Sequence, residues 1–120
     1  MQAIAAVNAM PASPDFQLIS ITSTVGAAED AQRLAAALVD QRLAACVQVD
    51  GPMQSHYHWD GKPCCEPEWR LTLKTTASRL PAIEAFMATQ HPYELPQLLW
   101  QPVSASAAYA RWVREQVDGS

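Results

Sequence analysis

Lysine and arginine are sparse in this chain. There are eight among 120 residues, none stands before Arg33, and nowhere do they form a run. With a net charge of −4 and a pI near 5.2, the chain lacks the basic footprint that nucleic-acid binding through phosphates requires. Long apolar runs are missing too: none approaches the roughly 20 residues of a membrane span. Residues 1–15 are rich in Ala, Pro and Met and have no positively charged start, so they read as a flexible tail and not as a secretory signal. Cysteine is scarce and odd in number, at three, with Cys64 and Cys65 adjacent. That is a poor disulfide framework and points to a reducing, cytoplasmic setting. There is no Gly-rich phosphate loop, no metalloprotease helix and no nucleophile elbow, so nothing points to an enzyme.

The chain, 49% hydrophobic and 17% charged over its 120 residues, reads as one domain, residues 16–120. Residues 16–24 alternate loosely and are rich in strand formers. Ala31, Leu34, Ala35, Leu38, Val39 and Leu43 then recur at three- and four-residue steps, which predicts an amphipathic helix. Residues 45–49 read as a second strand stopped by Asp50-Gly51-Pro52, and residues 53–60 as a third. On that third strand Ser55, Tyr57 and Trp59 share one face, and His56 and His58 the other. Asp60-Gly61 is a hairpin turn signal. A fourth strand over 66–75 puts Trp69, Leu71 and Leu73 on one side, with Pro67 implying an edge or a bulge. Ser78 is placed to cap a helix over 79–89. A strand over 97–103 and a last helix over 106–117 follow. The order predicts an α+β sandwich, ferredoxin-like β-α-β-β-α-β with an extra C-terminal helix.

The densest chemistry lies in His91-Pro92-Tyr93-Glu94-Leu95-Pro96. Two prolines fix the backbone around an aromatic and a carboxylate and push His91 and Leu95 toward extended geometry. His91 reads as a metal ligand or as a ring that satisfies loop backbone groups. Cys46 is a soft ligand for copper or zinc, or a small buried hydrophobe. His56 and His58 place two imidazoles roughly 7 Å apart along a strand. Cys64 and Cys65 reach one thiophilic ion together only if they sit in a turn. Tyr57, Trp59, Lys74, Tyr93 and Glu94 are the candidates for a binding cleft, with Lys74 set to meet Glu94 or an anionic ligand.

Five groups of residues in order make the chain similar to the CutA divalent-cation tolerance family. They are Leu43-Ala44-Ala45-Cys46, then Ser55, Tyr57, Trp59, Gly61 and Lys62 across the hairpin, then Leu73-Lys74-Thr75, the His91–Pro96 segment, and Tyr109 with Trp112. The resemblance covers about residues 17–117. It implies a ferredoxin-like fold, a tight homotrimer in which strands pair across subunits, and a cytoplasmic, non-enzymatic role in tolerance to copper or another divalent cation. It also implies an architecture similar to the PII signal-transduction proteins, whose clefts between subunits are natural sites for a small anionic ligand or a partner protein. Some members of the family bind copper through a cysteine ending the first strand and a His-His pair before Pro-Tyr. Here those positions are Ser23, Gln90 and His91, a departure that weakens the case for that site.

Overall fold

The computed structural model describes residues 17–118. The expected tail, residues 1–15, lies outside them. The elements run β1 (Gln17–Val25), α1 (Ala28–Asp40), β2 (Cys46–Trp59), β3 (Lys62–Thr75), α2 (Leu80–Gln90), β4 (Leu99–Ser104) and α3 (Ala107–Asp118). The sheet order is β2-β3-β1-β4, and every neighbouring pair is antiparallel. This is the α+β, ferredoxin-like arrangement that the pattern of elements predicts.

Two layers follow from strand alternation. Ile19, Ile21 and Val25 of β1 and Leu71 and Leu73 of β3 face α1 and α2, and pack with Leu34, Leu38, Ile83, Phe86 and Met87. The opposite face is covered at one end only. There Leu18 packs on Ala110 and Val113 of α3, with Ala45 and Val103 beside them. Ser106 caps α3, its Oγ accepting the Tyr109 N–H at 3.2 Å. Arg42 ties the far end of α3 to the end of α1 through its bond to the Gln116 carbonyl at 2.9 Å. Leu43, expected within the first helix, lies beyond it. Arg42 takes φ +58, and Leu43 turns back to bond the Leu38 carbonyl while remaining buried. Ser78 is not a helix cap either. It sits in a 3-10 turn, and no side chain caps α2.

The hairpin is the main departure from the sequence reading. Asp50-Gly51-Pro52 does not stop a strand. β2 runs through it, with a register shift between Asp50 and Met53 that inserts one extra residue, a bulge. The Gly51–Pro52 peptide is cis. Asp50 is clamped beside the bulge by Arg70, whose Nε and Nη2 donate to its two carboxylate oxygens at 3.1 and 2.7 Å. That pairing holds the Asp50 carboxyl below its usual range.

The bulge changes which residues share a face. Before it, even-numbered residues of β2 oppose even-numbered residues of β3, as in Gln48↔Thr72; after it, odd oppose even, as in Tyr57↔Cys64. Tyr57 and Trp59 therefore lie on the face of Glu68, Arg70 and Lys74, the face that α1 and α2 leave open. At the tip, Asp60 (φ +55) and Gly61 (φ +75) form a two-residue turn with both φ positive, type I′. β3 begins at Lys62, so Cys64 and Cys65 are strand residues and not a loop at the tip.

Candidate functional site

β1 pairs with β3 only from Trp69 onward. Residues 53–59 and 62–68 are therefore a two-stranded ribbon projecting past the sheet. Pro63 and Pro67 lie in this stretch, where β3 has no second neighbour, in keeping with the edge position expected of Pro67. The His91–Pro96 segment leaves α2 and folds back against the end of β1 and the ribbon. His91 anchors it. The residue is 7% exposed, its Nε2 donates to the Thr24 carbonyl at 2.8 Å, and its Nδ1 accepts the Tyr93 N–H at 3.0 Å. Those two bonds define a neutral ring protonated on Nε2. Burial is the leading cause that lowers the His91 pKa, with the Thr24 bond opposing it.

Tyr93 continues the clasp. Its ring lies 5.0 Å from that of His91, and its hydroxyl donates to Glu68 Oε2 on the ribbon at 2.8 Å. Burial, then the bond to Glu68, pushes the Tyr93 phenol well above its usual range. Gly26 makes room for it, because a Cβ there would stand 2.9 Å from the Tyr93 oxygen. Between clasp and ribbon runs an open groove of about 660 Å³, whose lining includes Thr24, His56, Tyr57, Trp59, Glu68, Tyr93, Glu94 and Gln97. Tyr57 and Trp59 are 42% and 51% exposed, so the groove carries uncovered aromatic faces. Its charged lining consists of carboxylates; among the described residues no lysine or arginine lines it. Such a wall favours a cation over an anion.

The structure brings together four of the five residues expected in a cleft: Tyr57, Trp59, Tyr93 and Glu94. Lys74, expected with them in a cleft between subunits, stands apart from the other four within one chain. It lies six residues along β3 from Glu68, roughly 20 Å away at strand spacing, and its Nζ donates to Gln48 Oε1 at 3.1 Å. His91 and Cys46, the expected metal pair, are not brought together within one chain. Both His91 ring nitrogens are occupied by backbone groups. Cys46 pairs with Lys74 at the opposite end of the sheet, four residues along β3 from the Arg70 that pairs with Thr24. Among the described residues, no three His, Cys, Asp or Glu side chains converge as ligands.

Glu68 was not singled out from the sequence, where it is one of four polar residues alternating along a strand. Only the fold-back of a distant loop onto it gives it a role. The contact between His56 Nε2 and Cys65 Sγ, at 3.5 Å, was also missed, but its signal was present. Both residues stand equally far from the Asp60-Gly61 turn, and a two-residue turn makes such residues partners.

Ser23 is fully buried and its Oγ has no partner among the described residues. Ser23→Ala is therefore expected to leave stability unchanged or to raise it by about 1 kcal/mol, because an unsatisfied hydroxyl is removed. Urea unfolding measures this, and a loss of more than that amount would reveal a partner for the hydroxyl.

The family model described as CutA1 divalent ion tolerance protein matches residues 19–116. A protein named divalent-cation tolerance protein CutA from Thermus thermophilus is 36% identical over 93 residues, 77% of this chain and 90% of that protein. Another of that name, from Pectobacterium atrosepticum, is 39% identical over 84 residues, 69% of this chain and 76% of that one. Among solved structures, CutA from Synechococcus elongatus superposes with a TM-score of 0.81 at 35% identity, covering 92% of this chain and 97% of that chain.

Proposed function

The chain belongs to the CutA1 divalent ion tolerance protein family, and on that footing we propose that it is a non-enzymatic, cytoplasmic homotrimer that responds to copper or another divalent cation, with the groove between ribbon and clasp as its recognition surface. The ribbon carries this reading. A lone two-stranded hairpin is marginal in water. This one extends past the sheet with Tyr57 and Trp59 uncovered, and the β4 edge exposes Leu99 and Trp100 at 60% and 47%. Pairing around a threefold axis covers such edges and closes the assembly. Glu68 and Glu94 in the groove favour a cation, and they weigh against the small anionic ligand that likeness to PII proteins implies.

Sedimentation at micromolar concentration is expected to give three times the 13.1 kDa chain mass. A stable monomer would sink the assembly. Copper calorimetry then tests the groove: Glu68→Gln combined with Glu94→Gln should weaken the isotherm. An unchanged isotherm places the cation elsewhere.

A further inference from the structure

We propose that Cys65 and His56, joined by His58, form a binding site for a soft or borderline cation of the Zn2+, Cd2+ or Cu+ class on the side of the ribbon opposite Tyr57. His56 and Cys65 are directly opposed across β2 and β3, both are exposed, and their Nε2 and Sγ atoms lie 3.5 Å apart. A tetrahedral zinc ion with Zn–S near 2.3 Å and Zn–N near 2.0–2.1 Å separates its sulfur and nitrogen ligands by about 3.6 Å. The pair already has the ligand spacing of such an ion. His58 stands two residues further along the same face, roughly 7 Å away at the Cα atoms; the three side chains do not converge as they stand, and His58 joins the pair only when its ring turns toward the bound ion. Water completes the shell.

The other thiols stand apart. Cys64 points to the opposite face by alternation and donates to the Lys62 carbonyl at 3.6 Å. Cys46 pairs with Lys74 at the far end of the hairpin. Thiolate with imidazole selects zinc, cadmium and cuprous ions over hard cations. As the metal–sulfur bond forms, the thiol proton leaves to solvent, and no electron is transferred. The site deepens the cation reading above and rests on it for its physiological meaning.

Cadmium titration of the full chain, followed by the ultraviolet thiolate-to-metal absorption and by direct analysis of bound cadmium, tests it. The wild type is expected to show a saturable band. Cys65→Ser should abolish the band and weaken binding about a hundredfold, since binding energy is shared among a site's few ligands. His56→Gln should keep the band and weaken binding to a similar degree. Cys64→Ser should match the wild type. Circular dichroism checks the fold of each variant. If Cys65→Ser keeps the wild-type band and affinity, or if His56→Gln binds as the wild type does, the site is wrong while cation binding elsewhere in the chain stands. If the wild type binds no cadmium at all, the site falls, and copper calorimetry decides the cation reading of the groove separately.

Discussion

Replacing His91 with alanine is expected to lower stability by about 2–4 kcal/mol, because two buried backbone groups lose their partners and a cavity remains. The orphaned groups are the Thr24 carbonyl and the Tyr93 N–H. They belong to the end of β1 and to the clasp, so the loss should also free the Tyr93 hydroxyl from Glu68. His91→Gln is the informative companion. Its amide nitrogen can still donate toward Thr24, but its oxygen does not fall at the Nδ1 position that accepts the Tyr93 N–H, so about half of the loss should return. Urea unfolding at pH 7.5 or so, above the usual histidine range, gives both numbers. Equal losses in the two variants would show that the bond to the Thr24 carbonyl contributes nothing.

The same residue gives the stability a pH dependence. Burial depresses the His91 pKa below 6.5 in the folded chain, so the unfolded chain binds this proton more readily. Stability then rises with pH wherever the unfolded state holds more protons. The His91 contribution is complete above pH 6.5 and is lost as pH falls through the lower folded value. Physically, a proton on Nδ1 would displace the Tyr93 N–H. The difference between wild type and His91→Gln should therefore shrink below pH 6.5. The lowered Asp50 carboxyl acts separately. Its contribution is present above its ordinary value of 3.8 and is lost as pH falls through its lower folded value, in both proteins alike. A wild-type minus variant difference that stays flat below pH 6.5 would refute the role given to His91.

Gly51→Ala is the second large effect, with an expected cost of about 3 kcal/mol or more. Gly51 sits at φ +142. A Cβ there would meet the Glu68 carbonyl oxygen at 2.9 Å and the Trp69 Cα at 3.0 Å. Those atoms are backbone of the adjacent strand and cannot rotate aside, so β2 and β3 must separate at the bulge. Gly61→Ala is the control, because its φ is +75 with nothing within 4 Å. It should cost only about 1–2 kcal/mol, the ordinary penalty of a left-handed residue. Hydrogen exchange should show ribbon amides losing protection in Gly51→Ala and keeping it in Gly61→Ala. Equal costs for the two variants would show that the close approach at Gly51 does not matter.

These two positions mark what could and could not be read from the chain. The helix of Leu34 and Leu38, the strand faces of Leu71 and Leu73, and the Asp60-Gly61 turn follow from spacing and local backbone preference, and all three stand in the structure. Asp50-Gly51-Pro52 misled for a physical reason. The same three residue types that end a strand also build a bulge, and only the presence of β3 alongside distinguishes the two. Lys74 stands apart from the groove within one chain because the groove lies on the part of the hairpin that projects past the sheet, and no local pattern carries that extent.

By itself the sequence determined the order of elements, the α+β class and the likeness to the CutA family, because those rest on periodicity, turn chemistry and short motifs within a few residues of one another. The tertiary structure alone decided that Tyr57 and Trp59 share the open face with Glu68 and that His91 spends both ring nitrogens on backbone. Each depends on one extra residue in a ladder, or on groups dozens of positions apart brought within 3–4 Å, and a chain encodes such contacts only through the complete fold.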